Sequence, residues 1–375
     1  MKINVVEFCT FSNIYNDKLC EGLSLDCYFS ATYEIHKITI SEERKLFNGD
    51  LSQSRYSTLS PFKKILYWIN FAKYIQSKYA FNKCQDVVNV QYVDFYMLVF
   101  YKYFKRNFKK VILTFWGSDL LRQNKVKLRM LYPLFILSDF ITFETEDMKE
   151  KFIELFGVKF NSKFRLLRFG LSTLEAIDKC SADDISDFTK KYGINNKKWI
   201  VSIGYNRSKQ QQHISVIDSM IDTVDDSSIL FIFPWNYGEV DAEYKNAIES
   251  KLYGKYDYLF IEDRLSDREI AALRIITDIM IQVQTTDSLS ASMLETLYAG
   301  NQVITGKWLP YTGIQKMGLK MTVVDRVSQC GSAMQENLKN PLSSEEIYYN
   351  KQCVYRLSSW SENIREWVEL YKKQR

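Results

Sequence analysis

Short apolar runs alternate with amphipathic stretches along most of this chain. Lys2–Phe8 reads as a first strand, and residues 9 to 35 carry no clear period. Pro61–Lys78 follows helical spacing through Phe62, Ile65, Leu66 and Ile69, with Lys63, Lys64, Asn70 and Lys73 elsewhere on the cylinder. The pattern then predicts a strand over Asp86–Val93, a helix over Phe95–Asn107 and a strand over Lys110–Phe115. It continues with a helical stretch over Leu120–Leu137 broken at Pro133, a strand over Phe140–Phe143, a helix over Thr145–Phe156 stopped by Gly157, and a strand over Arg165–Arg168. A polar passage from 172 to 198 follows. Beyond it the alternation resumes, with strands expected over Trp199–Ile203, Ser228–Phe233, Tyr258–Ile261, Ile279–Val283 and from Val303. Helices are expected over His213–Val224, Glu239–Ser250, Asp267–Ile275 and Ser292–Ala299. The tail Ser359–Gln374 reads as a last helix with Trp360, Ile364, Trp367 and Tyr371 in one stripe.

Strands alternating with helices imply parallel sheets covered on both faces. At 375 residues the chain exceeds one hydrophobic core. The expected architecture is α/β with two Rossmann-like, doubly wound parallel-sheet domains. Residues 1–172 would form the first, 173–198 the connection and 199–358 the second, with the helix 359–375 packing back on the first.

Composition narrows the chemistry. Seven scattered cysteines with no Cys-x-x-Cys pair, and an opening Met1-Lys2-Ile3-Asn4 without a signal-peptide pattern, lead us to expect reduced thiols and a cytoplasmic location. Two histidines, His36 and His213, leave little material for a zinc site, so no metal is expected. The net charge of +5 is uneven. Residues 61–110 hold ten basic residues against two acids, a net of +8, together with 15 aromatic residues.

Three loops after predicted strands could bind a ligand, because strand carboxyl ends are where such sheets place ligands. The first runs from Gly204 through Asn206, Arg207 and Lys209 to His213. Its glycine permits close backbone approach, and its cations suit phosphate oxygens. The second holds Asp287, Ser290 and Ser292 before a helix that carries Glu295. Helix N-termini attract phosphate, and Glu295 could reach a sugar hydroxyl. The third, Pro234-Trp235-Asn236-Tyr237-Gly238, could supply an aromatic wall for a base. In the first half, Asp119 in Trp116-Gly117-Ser118-Asp119 could accept a proton from an acceptor hydroxyl, or cap the following helix. Nothing matches a Walker loop, a Gly-x-Gly-x-x-Gly turn or a Ser-His-Asp arrangement.

Asp287-x7-Glu295 followed by Leu297-Tyr298-Ala299-Gly300 and Val303-Ile304 resembles the donor-site motif of GT-B glycosyltransferases, especially glycosyltransferase family 4. Gly117-Ser118-Asp119 and Phe169-Gly170-Leu171 fall where that family has similar segments. The chain departs by having Asp287 for the usual Glu, and Tyr205 after Gly204 where Arg is common. The run Gly204…His213 with Pro234…Tyr237…Tyr244 is similar instead to glycosyltransferase family 56. The resemblance implies two domains facing a central cleft and a nucleoside-diphosphate sugar as donor substrate, with no tightly bound cofactor. Gly204, Asn206, Arg207, Lys209, His213, Pro234, Tyr237, Ser290, Ser292 and Glu295 would hold that donor. Asp119 and Asp287 would face the reacting centre. Likeness to family 4 implies retention of configuration without a protein base; likeness to family 56 implies inversion, with Asp119 as the natural base.

It also implies a lipid-linked or oligosaccharide acceptor in bacterial surface polysaccharide assembly, such as O-antigen or capsule. The basic aromatic stretch 61–110 would then lie on an anionic membrane surface, making the protein peripheral at the inner face of the plasma membrane. No nucleic-acid partner is expected, since charge is modest and no such motif occurs. The alternatives are a non-catalytic glycosyltransferase-like subunit that binds a partner or glycan, and a GT-B sugar-nucleotide epimerase.

Overall fold

The structure is a computed structural model that describes residues 2–48, 58–194, 199–221 and 228–373. The chain divides into two compact units, Met1–Gly170 with Asn363–Arg375, and Leu171–Glu362. Each is built on a six-stranded sheet in which every pairing is parallel.

The first sheet comprises β1 (Ile3–Cys9), β2 (Tyr33–Thr39), β3 (Val87–Gln91), β4 (Lys110–Thr114), β5 (Phe140–Phe143) and β6 (Phe164–Leu166), in the order β2-β1-β3-β4-β5-β6. Strands buried on both faces explain the near-continuous apolar runs that marked them. The exceptions are polar and lie inside. Glu7, beside Asn89 across β1 and β3, accepts hydrogen bonds from Tyr371 and, at 2.9 Å, from Gln91. Burial pushes the Glu7 carboxyl up to about 7, against the lowering effect of its hydrogen bonds to Tyr371, Gln91 and Asn89. The last helix, Trp360–Lys372, thereby belongs to this unit. Its Trp367 indole donates to the Arg168 carbonyl at 2.9 Å and packs on Phe169.

The second sheet comprises β7 (Trp199–Ile203), β8 (Ile229–Pro234), β9 (Asp257–Ile261), β10 (Ile279–Gln282), β11 (Gln302–Gly306) and β12 (Thr322–Val324), in the order β12-β11-β10-β7-β8-β9. The chain fills one side of β7 and then returns to fill the other from β10. The carboxyl ends of β7 and β10 therefore flank the topological switch point, where a crevice opens between loops that leave in opposite directions.

The structure adds to or departs from the sequence pattern in four places. Residues 9–35 form two helices, Ile14–Leu25 and Cys27–Thr32, and the start of β2. The polar passage expected to connect domains folds into helices Ser172–Lys179 and Ala182–Lys191 within the second unit, with residues 195–198 outside the described range. Glu175, Asp183 and Asp184 lie in first turns, and Ser181 and Asp184 form a reciprocal capping box. Leu120–Leu137 is three short helices, Ser118–Leu121, Lys125–Met130 and Tyr132–Leu137. The helix starting at His213 ends at Met220, and Val224 lies outside the described residues.

Candidate functional site

The site assembles at the carboxyl ends of β7 and β10. Gly204, the first residue beyond β7, has φ +66°, and a Cβ there would lie 2.9 Å from Gln211 Oε1 and 3.0 Å from His213 Nε2. Both the backbone and the space require glycine. The loop then turns on Asn206, whose Oδ1 accepts the Ser208 N–H at 2.9 Å. Arg207 follows. Its Nε donates to the Gly238 carbonyl at 2.7 Å, and its own N–H donates to the Tyr237 carbonyl at 3.2 Å. The loop after β7 is thus fastened to the loop after β8.

It is also fastened to the loop after β10. Gln284 Oε1 accepts from the Tyr205 hydroxyl at 3.1 Å and from Gln211 Nε2 at 3.0 Å, while the Gln284 carbonyl accepts from the Trp308 indole at 2.8 Å. The Thr285 N–H donates to the Gln210 carbonyl at 2.9 Å. Tyr205, the departure from the family pattern, therefore joins two loops. Gln284 was not singled out in the sequence. Its signal is a glutamine placed just past a buried strand; its Oε1 is satisfied, while its buried Nε2 has no hydrogen-bond partner.

Farther along that loop, Asp287 Oδ1 accepts the Ser288 N–H at 2.9 Å and Oδ2 accepts the Tyr311 hydroxyl at 2.5 Å. Burial and the neighbouring Asp287 push the Tyr311 phenol well up, so it stays a hydrogen-bond donor. Ser290 caps the helix Ala291–Tyr298, its Oγ accepting the Met293 N–H at 3.2 Å. The remaining first-turn amides have no partner within the helix, which keeps this end attractive to an anion.

Glu295 differs from expectation. It is buried and its carboxylate is occupied: Oε2 accepts from Arg274 Nε at 3.0 Å and Oε1 from the Thr173 hydroxyl at 2.5 Å. Arg274 Nη2 donates to Ser292 Oγ at 2.8 Å, and its buried Nη1 has no hydrogen-bond partner. Arg274, absent from the sequence-based set, is the residue that holds Ser292 and Glu295 in place. It comes from the helix Asp267–Ile276, whose amphipathic pattern gave no reason to look for a ligand-side charge.

Lys209, His213 and Asp119 are likewise engaged with groups of the protein. Lys209 pairs with Asp241 at 2.6 Å, and this pairing holds its ammonium pKa up. His213 is fully buried among Phe233, Trp235 and Tyr244, with Nδ1 3.3 Å from the Tyr244 hydroxyl. Burial lowers it to about 3, with the Asn206 backbone opposing, so its imidazole is neutral. Asp119, in the first unit, is 1% exposed. Its Oδ1 accepts the N–H groups of Trp116 at 2.9 Å and Gly117 at 3.0 Å, and its Oδ2 accepts that of Val93 at 2.8 Å. Burial pushes it up to about 7 while those amides pull it down. Three backbone N–H groups thus hold the buried Asp119 carboxylate and clamp its loop.

The aromatic wall is divided. Pro234 ends β8 in the core, and Trp235 is buried against Tyr244 and Phe260. Tyr237 stays half exposed, its ring 6.1 Å from Tyr205. Gly204, Asn206, Arg207, Tyr237, Asp287 and Ser290 thus lie on loops at one sheet edge, and Ser292 in the helix that follows is bonded to Arg274, which also pairs with Glu295.

No protein-family model and no curated protein matches the chain. Solved structures do. A glycosyltransferase from Rickettsia africae ESF-5 aligns with a TM-score of 0.71 at 12% identity, over 99% of this chain and 98% of that one. The sucrose-phosphate synthase of Thermosynechococcus elongatus gives 0.70 at 12% identity, over 98% of both chains. Anabaena HepE, solved with UDP-glucose, gives 0.67 at 12% identity, over 98% of this chain and 99% of that one. At this identity the likeness establishes architecture: the chain has the α/β fold of GT-B glycosyltransferases, with two Rossmann-like parallel-sheet units.

Proposed function

We propose that this chain is a glycosyltransferase that moves a sugar from a nucleoside-diphosphate donor to a lipid-linked or oligosaccharide acceptor in bacterial surface polysaccharide assembly. The observation that carries the reading is the pair of cross-linked loops at the β7–β10 switch point. One offers Gly204 and Arg207, the other a helix N-terminus capped by Ser290. A diphosphate would sit between Arg207 and the first amides of the helix Ala291–Tyr298. Those groups would stabilise the charge that develops on the leaving nucleotide. Tyr237 and Tyr205 offer aromatic surface to the base. Asp287, braced by Tyr311, would orient the reacting sugar. Glu295 would meet ribose through whatever acceptor capacity its Arg274 and Thr173 contacts leave.

HepE was solved with UDP-glucose, which makes a UDP-sugar the first donor to assay. Because three backbone amides close Asp119, a retaining route that needs no protein base fits this chain better than inversion at Asp119. The acceptor would be presented at an anionic membrane surface through the basic aromatic stretch 61–110, with the protein peripheral at the cytoplasmic face. Among the described residues no helix is long and apolar enough to cross a membrane.

One observation favours the non-catalytic reading: Lys209 and Glu295, two charges expected to hold the donor, are already paired within the protein. Donor hydrolysis and transfer assays separate the two. Arg207→Ala should reduce turnover by about 10-fold or more, since it removes a charge-assisted contact. Undiminished turnover in that variant, or none in the native chain with any nucleotide sugar, would reject the assignment.

A further inference from the structure

The helix Pro61–Lys78 is only partly accounted for by packing. It buries Trp68, Phe71, Ala72 and Ile75, yet leaves Phe62, Ile65, Leu66 and Ile69 exposed, Phe62 at 75%. The short helix Lys125–Met130 repeats the pattern, burying Leu128 and exposing Val126 and Met130, Val126 at 65%. Both helices pack on the turn Phe95–Phe100, and Tyr96 of that turn stacks on Trp68 at 4.5 Å. Large apolar side chains this exposed, from two chain segments meeting on one support, mark an interaction face.

The charges around it select the partner. No acid occurs in residues 61–78 or in 120–137, whereas Lys63, Lys73, Lys125, Lys127 and Arg129 are exposed there. Protein–protein interfaces are depleted in lysine, while apolar side chains rimmed by Lys and Arg suit insertion between anionic headgroups. The location fits too. The turn Phe95–Phe100 follows β3, and the helix Lys125–Met130 follows the loop after β4, so the face borders the strand-carboxyl edge that carries Trp116.

We infer that the first half of the helix Pro61–Lys78 and the helix Lys125–Met130 form one bilayer-inserting surface for anionic lipid. The second helix lies outside the basic stretch 61–110. This deepens the membrane part of the function proposed above, and rests on that function only for the acceptor it would present.

The test is flotation of the full chain with phosphatidylcholine vesicles, with and without about 30% phosphatidylglycerol. The chain should float with the anionic vesicles, less so at high salt, and not with phosphatidylcholine alone. The double variant Phe62→Ser/Ile65→Ser should lower the partition about tenfold or more, and Val126→Asp should weaken it independently, both with unchanged melting temperature and UDP titration. No flotation with anionic vesicles, or flotation indifferent to both variants, would overturn the surface. So would concentration-dependent self-association lost in the same variants, which would assign the face to a second copy. A chain that floats yet binds no nucleotide sustains this surface and overturns the catalytic reading.

Discussion

Arg274 and Glu295 are both buried and pair with each other at 3.0 Å. Removing one partner strands a charge in the interior. Glu295→Ala should therefore cost about 3–5 kcal/mol in chemical denaturation, while Glu295→Gln, which keeps an acceptor for Thr173, should cost clearly less. Equal small losses would show the pair to be dispensable. Donor-binding assays on Glu295 need the Gln variant for this reason, because a fall in activity after Glu295→Ala would mix folding with binding. The sequence pattern exposes Asp287, Ser292 and Glu295 because their spacing places acid and hydroxyls on one turn and helix. Arg274 was missed since nothing in its own segment shows chemistry. Its one signal is position, three residues after the buried Ala271, which puts a cation on the apolar side of its helix. His213 makes the opposite case. Its type suggests a ligand-binding role, while its ring is packed against Trp235 and Tyr244 with Nε2 buried and without a hydrogen-bond partner. Because burial lowers it to about 3, it stays neutral across the physiological range. The pH profile of donor binding between pH 5 and 8 should thus show no step that disappears in His213→Gln.

At the level of elements, the loops after β7, β8 and β10 act as one unit because side chains cross-link them. Gln284→Ala removes the acceptor shared by Tyr205 and Gln211 and leaves two donors without it. The expected consequence is a stability loss of about 1–3 kcal/mol, with UDP affinity reduced in parallel. Unchanged affinity would separate the cross-link from the site. Most strands were legible because they are buried on a regular period, but the strand Thr322–Val324 and the helices Ile40–Asn48, Cys330–Lys339 and Ser344–Ser358 were not read. Other segments that escaped carry cues that point two ways. β2, Tyr33–Thr39, is half exposed along its middle, so its apolar content is low. Helices Ser172–Lys179 and Ala182–Lys191 begin with acids that read equally as linker. Only the spacing of Leu174, Ile177 and Phe188 and the Ser181–Asp184 box distinguish them.

For the whole molecule, two parallel sheets could be anticipated, since alternation of strand and helix over 375 residues admits few other arrangements. Sugar and acceptor identity were not legible, because fold likeness at about 12% identity carries architecture and not specificity. The two units carry buried titratable groups of opposite sign. Glu7, held at about 7 by burial, binds its proton in the folded state and not in the unfolded chain over pH ~4.3–7. Its contribution to stability therefore falls as pH rises through that window. His213 must take up a proton on unfolding below pH ~6.5, so its contribution is full above that and is lost as pH falls toward 3. Calorimetric unfolding compared at pH 7 and pH 5 should show Glu7→Gln flattening one trend and His213→Gln the other. Identical profiles for both variants and the native chain would refute the assignment.

On the proposed function, the second unit holds a nucleoside diphosphate between Arg207 and the helix capped by Ser290. Isothermal titration of the full chain with UDP tests it most directly. Saturable binding of one nucleotide per chain, weakened about 10-fold or more by Arg207→Ala at unchanged melting temperature, is the predicted result. Binding that Arg207→Ala leaves intact, or no binding of UDP or any other nucleoside diphosphate by the native chain, would contradict it.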